Sequence, residues 1–284
     1  MSDRVTIVTV CFNSLGVLPA MLASVPERTP VVLVDNASDD LNTLRELAAQ
    51  YGARLMENDE NRGFGTACNQ AAALAGTEFL LFLNPDTELA PDTIDQLIGA
   101  AARYPKASAF NPRIAQASGA PYFKRHSHLM PRAEIMPRGW PGSDQEVTVV
   151  SGAALFVRRA AFEEVGGFDP GIFLYHEDDD LGRRLRAQVG PLMFIRDANV
   201  THQMGRSTKR SPATATLKAW HMGRSRVYAS RKHGRPVPFL SALMSASLQL
   251  FSPAVALSKR KRAKQVAFFK GILSTLRDGG KSNA

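Results

Sequence analysis

The chain has 284 residues, of which 44% are hydrophobic and 21% charged, enough for one large domain or a domain with an appendage. Its two cysteines, Cys11 and Cys68, show no CxxC spacing, which excludes a disulfide framework and a zinc ribbon and leaves them as small buried hydrophobes. The net charge of +9 is unevenly carried: Gln203 to Ala284 holds 17 Lys and Arg against a single acid, Asp278, whereas residues 1 to 202 hold 18 bases and 25 acids, so an anionic partner is expected for the tail, a membrane surface, a nucleic acid or the phosphates of a substrate.

The opening MSDRVTIVTV enters a strand pattern at once, without a basic region and a long apolar core, so no signal peptide is expected and the bulk of the protein is assigned to the cytoplasm. Val5 to Cys11 predicts a buried strand, and Phe12, Asn13 and Ser14 lead into a helix over about Leu15 to Val25. A second strand, Val31 to Val34, ends on Asp35, Asn36, Ala37 and Ser38; a helix over Leu41 to Tyr51 and a short strand near Arg54 to Glu57 follow. Asn61, Arg62, Gly63, Phe64 and Gly65 open a helix through Asn69 to Ala75. This GFG is not a dinucleotide fingerprint, and Arg62 reads equally as a phosphate contact at a helix amino terminus or as a solvated turn residue.

Phe79 to Leu83 (FLLFL) runs unbroken into Asn84, Pro85 and Asp86, as a strand buried on both faces of a parallel sheet would. Read alone, Asn-Pro-Asp is a turn. At the carboxyl end of a strand in an α/β sheet, however, it stands where ligands bind. Strands alternating with helices over the first hundred residues predict βαβ units with right-handed crossovers, and the polar strand ends Asn13, Asp35 and Asn84/Asp86 converge on one crevice.

Pro91 begins a helix over Asp92 to Tyr104, and Ala107 to Ile114 reads as a strand. Ala115 to Glu146, with four prolines, Trp140 and the pair His126 and His128, reads as a long loop or flap with its histidines at the surface. Val147 to Val157 is a second apolar segment, broken at Ser151 and Gly152 as if backbone lies close to something there. A short helix over Arg158 to Val165 ends at Gly166 and Gly167. Next, FLYHEDDDLGRR places four acids, Glu177 to Asp180, at the start of a helix whose Leu181, Leu185 and Val189 give one buried face. Such repulsion marks a solvated helix start or a cation- or proton-handling site, and the apolar flanks favour the second. The last polar strand end is Val200, Thr201, His202, and no long repeat is visible.

Seven motifs thus stand in order: TVCFNS, VLVDNAS, NRGFGTACN, FLNPDT, SGAALFVRR, GGFDPGIFLYHEDDDLGRRLR and VTHQMG. Together they resemble the family 2 glycosyltransferases, in particular rhamnosyltransferase-like enzymes that extend bacterial cell-surface polysaccharides, over roughly residues 5 to 205. The resemblance implies a GT-A fold: a Rossmann-like, mixed, mostly parallel sheet flanked by helices. It would occupy residues 1–205, with a nucleotide-binding half to about residue 88 and an acceptor half beyond, followed by a basic helical region at 206–284. The implied reaction is inverting transfer of a sugar, first of all rhamnose from dTDP-rhamnose, from a nucleoside diphosphate sugar donor to a glycan or lipid-linked acceptor, with a divalent cation, Mn²⁺ or Mg²⁺. The family's Asp-x-Asp metal motif falls on Asn84, Pro85 and Asp86; because Asn84 departs from it, the metal-ligand role passes to Asp86, with Asn84 as a donor contact. The general base falls on Asp178 and the second metal ligand on His202. Asp35 matches the nucleoside-contacting acid, with Thr9, Asn13, Arg62 and Asn69 also on the donor side, and Glu177, Asp180 and Gly152 on the acceptor side. The chemistry requires such groups, since a hard cation stabilises the growing charge of a leaving diphosphate and single-step inversion needs a base on the opposite face.

Beyond His202 helices are expected over Thr214 to Lys232, Phe239 to Leu250 and Ser258 to Leu276. Phe239 to Leu257 is uncharged, but its four serines, Gln249 and Pro253 make a weak spanning segment. Lys259, Arg260, Lys261, Arg262 and Lys264 follow. An apolar helix beside a basic cluster predicts peripheral contact with an anionic membrane, at the cytoplasmic face of the inner membrane; a helical appendage packed on the catalytic domain is the alternative. Of the rival functions, a nucleic-acid-binding module explains only the tail, so no nucleic acid partner is expected. A sugar-nucleotide-forming nucleotidyltransferase would need a basic, Gly-rich loop after the first strand, where TVCFNSLG has no basic residue.

Overall fold

The computed structural model describes residues 2–203 and 212–277, so the end of the VTHQMG motif (Met204 and Gly205), the expected junction at 205–206 and Asp278 lie outside the described residues. The described chain divides into two units, residues 2–169 with 178–203 and residues 170–177 with 212–277.

The first unit contains β1 (Val5–Cys11), α1 (Leu18–Ala23), β2 (Val31–Asp35), α2 (Leu41–Gln50), β3 (Arg54–Glu57), α3 (Phe64–Ala72), β4 (Phe79–Leu83), β5 (Thr87–Leu89), α4 (Thr93–Arg103), β6 (Ala109–Gln116), β7 (Gln145–Val147), β8 (Ala154–Arg158), α5 (Arg159–Glu164), nearly all of α6 (Glu177–Gln188) and β9 (Leu192–His202). The strands form one sheet in the order β3-β2-β1-β4-β8-β6-β9-β5, with β7 also paired to β9. Every residue of β4 is buried. Its Phe79, Leu81 and Leu83 join the layer of α1, α2 and α4, while Leu80 and Phe82 join that of α3, α5 and α6. Each such side chain contributes roughly 2 kcal/mol of apolar burial, so an unbroken FLLFL run is stable only between two helical layers.

Parallel βαβ order holds from β3 through β4. Beyond it β8 lies antiparallel between β4 and β6, which makes the sheet mixed. The Val147 to Val157 segment is not one strand. Val147 closes β7 and only Ala154 onward enters β8, because Asn111 holds the bend between them: it accepts from Ser151 N at 2.7 Å and donates to Ser151 O at 3.1 Å. The expected flap is packed rather than free. Trp140 Nε1 donates to Ile114 O at 3.0 Å, Arg113 lies over the Trp140 ring, and Leu129 is fully buried.

The second unit contains α7 (Pro212–Lys232), α8 (Pro238–Leu250), α9 (Pro253–Ala256) and α10 (Lys259–Ser274) around a small core of Ala219, Val227, Ala242, Ala246, Phe268 and Ile272. A Cβ at Gly223 would stand 2.2 Å from Phe268 O, and one at Gly271 2.0 Å from Trp220 O, so α7 and α10 meet backbone to backbone only because both positions lack a side chain. The 170–177 segment belongs to this unit: Phe173 stacks on His221 at 4.0 Å, and Ser225 Oγ donates to Leu174 O at 2.9 Å. Its Tyr175 and His176 both have positive φ, 66° and 71°, a costly backbone for consecutive side-chain-bearing residues and one that clusters at functional sites. Among the described residues no helix is long and apolar enough to cross a membrane.

Candidate active site

The turn after β4 is closed by its own backbone: Asn84 O accepts from Thr87 N at 3.2 Å and from Thr87 Oγ1 at 2.6 Å, while Asn84 N donates to Ala153 O at 2.9 Å. The chain then enters β5, which pairs antiparallel with the end of β9 so that Thr87 stands opposite His202. Gln203 N donates to Asp86 O at 2.8 Å, completing the register. As a result His202 Nε2 lies 3.3 Å from Asp86 Oδ1, with the two side chains only 8% and 1% exposed. Adjacent ligands of an octahedral Mg²⁺ or Mn²⁺ stand about 3 Å apart, so this carboxylate and imidazole fit one cation. His202 Nδ1 has no hydrogen-bond partner among the described residues, and Tyr122 packs edge-on against the imidazole at 4.8 Å. Among the described residues no group of three or more His, Cys, Asp and Glu could hold a metal, so a cation here would need oxygens from a bound ligand or water.

Asp178 occupies the first turn of α6, where the helix dipole favours a carboxylate. Its Oδ2 accepts from Gly152 N at 3.0 Å and from Lys124 Nζ at 2.7 Å, and its Oδ1 accepts from Asp179 N at 2.8 Å. A Cβ on Gly152 would lie 3.2 Å from Asp178 Cβ, which explains the break in the second apolar segment: the backbone there is held against a carboxylate. Lys124 Nζ also stands 2.8 Å from Asp179 Oδ1. Burial alone would push the Lys124 ammonium down, but the carboxylates of Asp178 and Asp179 outweigh it and hold it above the ordinary lysine value. Neither Lys124 nor Tyr122 was singled out from sequence. The one available signal was their spacing of two, which puts both on the same side of an extended segment.

On the side expected to take the donor, β1 and β2 end together, Cys11 opposite Asp35. Asp35 is buried and both its oxygens accept from Ser38 N at 3.2 Å. Asn13, at φ 55°, accepts from Asp39 N at 2.8 Å, so the loops after β1 and β2 form one rim. Arg62 is exposed at the start of α3, with its N–H bonded to Asn36 Oδ1 at 3.0 Å. Asn36, not singled out from sequence, is a buried hub that also bonds Asn58 and Asn61. Thr9 Oγ1 donates to Leu83 O at 2.9 Å, and the Asn69 amide exchanges two 2.8 Å bonds with the Phe168 backbone. Asp180 is fully buried and bonded by Arg184 at 2.7 and 2.9 Å, and Arg184 also donates to Val165 O and Gly167 O, tying α6 to the glycine turn. Glu177 opens α6 and is buried.

The model of "Glycosyl transferase family 2" matches residues 6–166. The chain is 31% identical, over 93% of its length and 97% of the relative's, to the N-acetylglucosaminyl-diphospho-decaprenol L-rhamnosyltransferase of Mycobacterium tuberculosis H37Rv. It is 27% identical, over 67% of its length but 16% of the relative's, to the O-antigen biosynthesis protein RfbC of Myxococcus xanthus. Among solved structures, the mannosyltransferase PcManGT from Pyrobaculum calidifontis, in complex with GDP-Man and Mn²⁺, superposes with a TM-score of 0.59 at 17% identity, covering 97% of this chain and 87% of that one. S. aureus TarS 1-349 gives 0.57 at 16% identity, covering 99% and 93%. The fold is therefore that of the GT-A glycosyltransferases, as the motifs implied. With a family match across the strands that carry Asp35, Asn84 and Asp86, and a near-full-length relative, this chain belongs to glycosyltransferase family 2 and is rhamnosyltransferase-like.

Proposed function

We propose that this protein is an inverting, cation-dependent rhamnosyltransferase that moves rhamnose from a nucleoside diphosphate donor, dTDP-rhamnose, to a lipid-linked glycan acceptor in cell-surface polysaccharide synthesis. The observation that carries this reading is the pairing of Asp86 with His202 at 3.3 Å in a family 2 fold, together with a carboxylate, Asp178, held at a helix start by defined donors. The lipid-linked acceptor and the sugar are supported by the name of the near-full-length relative. Asp35 and Asn13 would receive the nucleoside at the rim of β1 and β2, with Arg62 and the amino terminus of α3 facing phosphate. Asp86 and His202 would hold a divalent cation, which when bound offsets the charge that grows on the diphosphate. Asp178 accepts the proton of the acceptor hydroxyl as its oxygen bonds to the anomeric carbon; the bond to the diphosphate oxygen breaks on the opposite face, and the nucleoside diphosphate leaves with that electron pair. A thermal-shift panel of nucleoside diphosphate sugars with Mn²⁺ or Mg²⁺ tests this, since a ligand stabilises the folded state by mass action. Stabilisation by dTDP-rhamnose above all others is expected. A preference for another nucleotide or sugar would replace the donor assignment.

The second unit supports a place at the cytoplasmic face of a membrane. Leu240, Met244 and Leu248, four residues apart on α8, are exposed, as are Phe251 and Leu257, while Ala242 and Ala246 turn inward. Lys259 to Lys264 then open α10. A row of large apolar side chains beside a cationic segment suits the interface of an anionic bilayer.

A further inference from the structure

The flap enters the site through three consecutive residues. Tyr122 packs on the imidazole of His202, Phe123 packs on Phe194 at 5.7 Å, and Lys124 reaches Asp178 and Asp179. Alternation in an extended segment puts Tyr122 and Lys124 on one face and Phe123 on the other. Phe123 therefore pins the segment to the core layer that contains Phe194, and its neighbours are held on a metal-ligand candidate and on the candidate base. None of the seven motifs includes this segment.

We propose that Lys124 is the positioning residue for Asp178: its ammonium, lodged between the Asp178 and Asp179 carboxylates, fixes Oδ2 and leaves Oδ1 to take the proton of the acceptor hydroxyl. The proposal rests on the reading of Asp178 as general base. A carboxylate oxygen has two lone-pair directions. Lys124 Nζ and Gly152 N occupy both on Oδ2, whereas Asp179 N occupies one on Oδ1. The hydroxyl is thereby directed to a single atom. The charges facing Asp178 are Lys124 from the flap and Asp179 from its own helix; Glu177 precedes it, and Asp180 is neutralised by Arg184. Without the Lys124 ammonium, two adjacent carboxylates at 16% and 5% exposure would repel and Oδ2 would lose one of its two donors, so Asp178 would no longer be held in one orientation.

The experiment compares wild type, Lys124→Met, Lys124→Arg and Asp178→Asn for kcat and KM of rhamnosyl transfer and for donor-induced thermal stabilisation. Lys124→Met should lose about tenfold to a hundredfold in kcat while KM for the donor and donor stabilisation are kept, and Lys124→Arg should restore part of the rate. If Lys124→Met does not fold, Lys124→Gln, which keeps a donor without the charge, is read in its place. Asp178→Asn inactive with the kcat of the Lys124 variant within threefold of wild type overturns the Lys124 role alone. Asp178→Asn with substantial turnover overturns the base reading and this proposal with it.

Discussion

Asp178, Asp86, His202 and Cys11 are the positions where a single side chain decides an outcome. Replacing Asp178 by Asn keeps its shape but removes proton acceptance, so transfer should fall by about 10² to 10⁴ while donor binding by thermal shift survives. Asp86→Ala or His202→Ala removes one of the two buried groups proposed to hold the cation. The Mn²⁺ concentration needed to stabilise the protein in the presence of a nucleoside diphosphate should rise by at least about tenfold, and an unchanged titration would take these residues out of the site. Cys11 is the counter-case. Burial, reinforced by the charge of Asp35, pushes its thiol well up, and Cys68 is likewise buried. Alkylating reagents at pH 8 should leave both unlabelled in the folded protein, and rapid labelling of Cys11 would show that the β1 end opens.

At the scale of elements, α6 is held by two devices that share one acidic run. Asp178 faces donors at the site, whereas Asp180, two residues on, turns into the protein against Arg184. Arg184→Met should therefore destabilise by about 3 to 5 kcal/mol, because it removes the charge partner of a fully buried carboxylate; thermal unfolding that matches wild type would reject this. Gly152→Ala should spare the fold but displace Asp178, since its Cβ would press at 3.2 Å. A reduced kcat with an unchanged melting temperature is the expected result. Strands whose residues are all buried, such as β1 and β4, were legible as continuous apolar runs. By contrast β5 was not, because three residues, Thr87 to Leu89, carry no periodicity and become a strand only by pairing with β9. The flap looked irregular for a similar reason: its order comes from Trp140, Phe123 and Leu129 packing on distant elements, not from local pattern.

For the whole molecule, the charge division between an acidic body and a basic tail argues for an anionic surface as the tail's partner. Flotation with vesicles containing anionic lipid should recover the wild-type protein, and Leu248→Glu with Phe251→Glu should abolish recovery without changing donor binding. If the double variant floats as well as wild type, the α8 row is not the contact.

By itself, the sequence determined which residues are candidates for the chemistry and which elements hold them: motif order pointed to Asp35, Asp86, Asp178 and His202, and hydrophobic runs placed the strands, because residue type and short-range period are local properties. Only the tertiary structure decided their positions relative to one another. His202 stands beside Asp86 because β5 and β9 pair across more than a hundred residues of chain. Asp178 is oriented because a lysine from the packed flap and a glycine amide before β8 meet it there. Long-range strand pairing and buried charge partners depend on which surfaces the folded layers bring together, and no window of sequence contains that information.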